Sequence, residues 1–196
     1  MKLFKAVVQP NLMYACEIWG TKLLSLDPRD PFGSQVDGVS TPFYRNLLGL
    51  KSSTSTWCLH REVGMYPWQL TCFRQMIRFV NKLRCMPVTT LARMALCDAI
   101  ADFHDNQHNN WFAQLVSFCD KIRAPVLYGE GAGAIPLLDE AHCIELLQEV
   151  YHGVFTNAGS DMAKIQKYHA NFASQLPPIG KYWESQPYLR TALSTN

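Results

Sequence analysis

The sequence has no long apolar run. Charged residues such as Lys5, Glu17 and Lys22 interrupt each stretch before the roughly 18 residues that a membrane-spanning helix needs, so no membrane span is expected. Charge itself is sparse: Asp, Glu, Lys and Arg make up 17% of the chain, below the usual quarter, which suggests surface meant to be covered by a neighbour. Gln9, Pro10 and Asn11 break the apolar stretch after the amino terminus and no small-residue cleavage site follows, so no secretion signal is expected. No alternation of apolar and polar residues exceeds four positions and no internal repeat occurs, which argues against a sheet or a solenoid.

Several catalytic signatures are missing as well. There is no Gly-x-Ser-x-Gly nucleophile turn, and no Cys-x-x-Cys pair to begin a structural zinc module. There is no Asp-Asp dipeptide, and the clustered aspartates that hold two metal ions for phosphoryl transfer are not encoded. Gly129-Glu130-Gly131-Ala132-Gly133 lacks the spacing and the Gly-Lys-Ser/Thr tail of a phosphate-cradling loop, and is expected to be an exposed loop within Pro125 to Pro136. No complete active site and no cofactor are expected.

What is present is globular in character. The 196 residues are 48% apolar, enough for one domain or two small ones that remove roughly 70% of the unfolded chain's surface from water. Seven cysteines, an odd number, are scattered rather than framed for disulfides, which suggests a reducing compartment and thiols that act as small buried hydrophobes. Charge is uneven: up to Arg93 there are 12 Lys and Arg against 5 Asp and Glu, a net +7, and the remainder carries 6 against 11, a net −5. Such asymmetry points to a polyanion-facing surface on the basic half.

Helical periodicity dominates. Phe4, Val7, Val8, Leu12, Ala15 and Trp19 share a face of a helix from Leu3 to Trp19 that should kink at Pro10 and stop at Gly20. Asp27 to Ser34 is a turn-forming loop. Pro42 then precedes a short helix ended near Gly49, and another helix runs from about Trp57 to Val63 and stops at Gly64. Pro67 opens the strongest amphipathic segment, which Pro87 bounds; Phe73, Met76, Ile77, Val80, Leu83 and Met86 follow a 3.6-residue period. Further helices are expected at Thr90–Phe103, Asn110–Ile122, Asp139–Val154 and Ser160–Gln175, each with a capping residue in front; Pro177-Pro178 closes the last, and a short helix follows Pro187.

On the opposite side of the Pro67–Met86 helix, Arg74, Arg78 and Lys82 recur every fourth residue, with Arg84 at the flank. Such a row can lay cations along a phosphate backbone, or it can be an ordinary solvated face. His104 and His108, with Cys97 and Cys119 near in sequence, make a weak metal candidate, because Asn106, Asn109 and Asn110 favour a turn and the spacing fits no zinc module. Asp139-Glu140 is better explained as a helix start favoured by the macrodipole.

Two stretches resemble the region downstream of the catalytic palm in reverse transcriptases of non-LTR (LINE-type) retrotransposons. Leu3 to Gly20 is similar to that family's helix with an internal Pro, then Leu, Tyr, a small pair, Glu and Trp. Phe43-Tyr44-Arg45-Asn46-Leu47-Leu48-Gly49-Leu50 resembles its aromatic-Arg-x-Leu-Leu-Gly-Leu element, and Glu62-Val63-Gly64-Met65-Tyr66-Pro67 its Glu-Leu-Gly-x-x-Pro element. The basic helix follows in the family's order, and Pro187-Tyr188-Leu189-Arg190 is similar more faintly. The resemblance covers the first half of the chain. It implies a thumb and connection region that grips a template-primer duplex; the family's paired aspartates would lie before Met1 and its cysteine-histidine knuckle beyond Asn196.

The expected fold is therefore all-α, an irregular multi-helix bundle with a kinked first helix, divided into a thumb-like region 1–86 and a connection region 87–196. The resemblance implies a non-catalytic part of an RNA-directed DNA polymerase, inside the cell in the nucleus or cytoplasm. Its partners would be the RNA/DNA template-primer duplex and the remainder of the reverse transcriptase, with Arg74, Arg78, Lys82 and Arg84 on the phosphates. Two other readings stand beside it: a helical interaction module docking on an acidic protein, and, more remotely, a metal-dependent hydrolase using His104, His108 and Cys119.

Overall fold

The computed structural model describes residues 4–105, 110–124 and 138–161, with the backbone alone for Lys5, Arg61, Glu62 and residues 155–161. Among the described residues every regular element is helical and there is no strand, so the fold is all-α. Packing groups these residues into two compact units: one holds Phe32–Pro67 with residues 153–161, the other residues 4–31 with Trp68–His152.

The second unit begins with a π-helical turn, Phe4–Val8, that passes into α1 (Gln9–Leu12). Pro10 lies in the first turn of α1, where its missing N–H matters least; the widened turn before it spares the proline ring the carbonyl it would meet in a regular helix. The expected kink is thus a π turn, and the true break comes later. Ala15 is left-handed at φ 51 and separates α1 from α2 (Cys16–Trp19). Gly20 ends α2 as expected, and α3 (Thr21–Leu24) follows at once. Its role is close packing: a Cβ there would overlap Cys72 Sγ and the Cys16 carbonyl.

α6 (Trp68–Arg84) is the spine of this unit, with Phe73, Met76, Ile77 and Val80 fully buried. Each such side chain contributes roughly 1.5–3 kcal/mol of burial. α7 (Leu91–His104) and α8 (Trp111–Lys121) pack on it: Leu83, Leu96, Ala99, Ile100, Phe112 and Val116 form one cluster, and Phe73 meets Phe118 edge-on at 4.9 Å. Residues 86 and 87 therefore sit between helices that share a core. Asn110 caps α8 by accepting from Ala113 N and donates to Ala99 O. Thr90 gives α7 no side-chain cap; its hydroxyl donates to Pro87 O instead.

α9 (Glu140–Asp161) is longer than expected, running unbroken past Val154 and Gly153. A helical glycine costs only about 1 kcal/mol, too little to end a packed helix. Most of the expected Ser160–Gln175 helix, the Pro125–Pro136 loop, Pro177-Pro178 and the segment after Pro187 lie outside the described residues. Two amides tie α6 to its surroundings: Gln69 donates to Leu23 O and Leu26 O and accepts from the Tyr151 hydroxyl. Asn81 donates to Leu138 O and accepts from Leu138 N, which brings the start of α9 alongside α6.

In the first unit α4 (Gln35–Leu47) packs against α5 (Thr56–Val63). α4 starts seven residues before Pro42, which lies inside it. The start is fixed by a capping box, Ser34 Oγ accepting from Asp37 N while Asp37 Oδ2 accepts from Ser34 N. Gly49 and Gly64, at φ 62 and 67, end the two helices as expected. The core of this unit includes Tyr44, Leu59, His60 and Met65.

Candidate nucleic-acid interface

α6 presents three of the four candidate cations on its uncovered side. Arg78 and Lys82 are exposed, and the side chain of Arg74 keeps 41% of its accessible surface. The apolar period that buries Phe73, Ile77 and Val80 leaves positions 74, 78 and 82 facing outward. Arg84 is set apart. It is buried, and burial first and the Arg93 charge second push its guanidinium down to about 10. The structure does not bring it to the row of the other three.

The row is not purely cationic. Arg78 Nε donates to both oxygens of Glu140 at 3.0 and 2.9 Å, and its Nη2 lies 2.8 Å from Oε1. Arg74 Nε lies 3.7 Å from the same oxygen. The hydrogen bond, and then the charge, of Glu140 hold the Arg78 guanidinium above its ordinary value. Because the pair stands in water, it contributes little to stability and chiefly fixes the fork of Arg78.

Glu140 was legible as a helix start, and Asp139 indeed caps α9 by accepting from His142 N. Its second part, as partner to a side chain 62 residues earlier, has no signal in the sequence. It arises because Asn81 holds the backbone of Leu138. Three cations and one carboxylate thus share this face, which suits a diffuse anionic partner better than a single tightly held ion.

Three members of the metal candidate fall among the described residues. His104 is exposed, Cys97 is half-buried and Cys119 is buried, while His108 lies outside the described residues. Among the described residues no three His, Cys, Asp or Glu side chains gather as a metal site. Burial, then the neighbouring Cys143, pushes the Cys119 thiol up, away from the thiolate that a metal or a nucleophilic role needs. No helix among the described residues is long and apolar enough to cross a membrane. No known family, curated protein or solved structure matches the chain.

Proposed function

We propose that this chain is a non-catalytic part of a non-LTR retrotransposon reverse transcriptase, the region downstream of the palm, and that it contacts the backbone of a template-primer duplex. The ordered elements from Leu3 to Arg84 support the family. The observation that carries the contact is the row of Arg74, Arg78 and Lys82 along the uncovered side of α6, whose other side is locked into a core. Cations in a row meet phosphate oxygens rather than base edges, so recognition is independent of sequence. Arg84, being buried, has no part in it.

Two or three phosphates within reach set the expected salt dependence: log affinity for an RNA-DNA hybrid should fall with log salt at a slope between about −2 and −3. Arg78→Glu with Lys82→Glu should remove most binding at low salt. Glu140→Gln should tighten binding, because it removes the carboxylate that pairs with Arg74 and Arg78. A double charge reversal that leaves hybrid binding unchanged at low salt would defeat the proposal. Binding of an acidic protein with no binding of hybrid would favour the docking module instead.

A further inference from the structure

A groove of about 670 Å³ opens on the second unit, between the loop after α3, the carboxy-terminal end of α8 and one side of α9. Three cations line it: Arg29 from the loop, and Lys121 and Arg123 from the end of α8. Lys121 is held in place, its Nζ donating to Ser25 O at 3.3 Å. Two carboxylates, Asp27 and Glu149, line it too, yet among the described residues no ion pair joins them to these cations. Asp27 is engaged otherwise, accepting from Arg29 N at 2.8 Å. Ile122, Leu146 and Val150 add an apolar lining.

A helix end favours positive charge, and that alone accounts for Lys121. It does not account for Arg123. This residue stands in the left-handed region at φ 57, with its N–H on Asp120 O and the next N–H on Cys119 O. Helix ends of this form usually place glycine there, because a Cβ strains the backbone. A long cationic side chain is kept at a place where the backbone favours none, and it lines the groove. Strain of this kind gathers where ligands bind.

The volume falls in the range of pockets that hold small organic molecules and exceeds what a bare ion fills. Three cations match a dianionic head better than a single carboxylate, and the remaining acceptor positions of Asp27 and Glu149 can accept from hydroxyl groups. We infer that this groove binds a hydroxyl-bearing organic phosphate of the nucleoside monophosphate class. The phosphate is held by Arg29, Lys121 and Arg123, the hydroxyls face Asp27 and Glu149, and the flat body lies on Ile122, Leu146 and Val150. The site is separate from the row on α6 and does not depend on the function proposed above.

The test is titration of the whole chain with adenosine 5′-monophosphate by calorimetry, with adenosine and inorganic phosphate as controls. The nucleotide is expected to bind at least about tenfold more tightly than either control, since each lacks one half of the recognition. Arg29→Ala and Arg123→Gly should each weaken it by about tenfold or more, the weight of one charge-assisted hydrogen bond. Without ligand, Arg123→Gly should melt no lower than the parent, and up to about 2 °C higher as the strain is relieved. The inference is overturned if the nucleotide does not bind, if inorganic phosphate binds equally well, or if both variants bind like the parent. It is also overturned if Arg123→Gly melts lower without ligand, because the side chain would then be there for packing.

Discussion

The buried amides of one unit and the buried imidazole and carboxyl of the other are held in different ways. In the unit built on α6 the buried or half-buried amides Gln69, Asn81 and Asn110 each both donate and accept. In the unit of α4 and α5 the ionisable His60 and Asp37 are buried, as Arg84 and Arg93 are in the α6 unit. His60 is 2% exposed and Asp37 5%, and among the described residues no hydrogen bond of ordinary geometry reaches either ring nitrogen of His60 or Asp37 Oδ1. His60 instead packs among rings, with Phe32 at 4.9 Å and Tyr44 edge-on at 5.6 Å. An amide carries no charge and can be insulated once its bonds are made. An ionisable group that burial disfavours in its charged form ties stability to pH.

The same kind of change made in both places separates the two behaviours. Gln69→Leu leaves the Leu26 carbonyl and the Tyr151 hydroxyl without their bonds to this amide. It should cost about 3 kcal/mol in denaturant unfolding, since buried groups then lose partners they had. His60→Leu should be neutral or stabilising at pH 7, since it replaces a buried ring whose nitrogens make no regular hydrogen bond among the described residues. Equal losses from both changes would show that the units do not differ in this respect.

Acid acts on His60 and leaves the amides unchanged. Burial pushes the His60 imidazole down to about 4, against a weaker upward pull from backbone groups of Met65 and Tyr66. Its pKa is thus lower folded than unfolded, so the unfolded chain takes up the proton first. Stability from this group is intact above about 6.5 and drains away as pH falls toward about 4. A loss on the order of 2 kcal/mol over that window is expected. Burial raises Asp37 despite its bonds to Ser34, which acts in the opposite sense near its own pKa and blunts the loss at the acid end. His60→Leu should flatten the profile between pH 6.5 and 4; a profile as steep as the parent's would assign the acid sensitivity elsewhere.

The smallest effect expected is at the start of α4. Ser34→Ala removes one half of the capping box and should cost about 1 kcal/mol. A loss that small, beside the Gln69 effect, would place the weight of the comparison on buried groups rather than on helix ends.

Much of the helical layout was legible. The period of Phe73, Met76, Ile77, Val80 and Leu83 located α6 within two residues at each end, because a packed stripe must repeat every 3.6 residues. Gly49 and Gly64 marked stops because both are left-handed. The early start of α4 was also written in the sequence as Ser34-x-x-Asp37, a capping box whose signal the downstream Pro42 obscures. The break at Ala15 carried no such mark, since nothing local asks an alanine to be left-handed. Of the four candidate cations, spacing alone separated Arg74, Arg78 and Lys82 from the apolar side; it left Arg84 at the flank, where packing buries it beside the charge of Arg93.

By itself, then, the sequence determined that this chain is helical, where most helices begin and end, and which side of α6 is cationic. These follow from local backbone chemistry and periodicity, which act over a few residues. Only the tertiary structure decided that Glu140 faces Arg78, that Arg84 is buried, that His60 sits among rings, and that Arg29 lines one groove with Arg123. Those juxtapositions depend on how distant segments pack, and the residues that meet in them carry no pattern along the chain that foretells their partners.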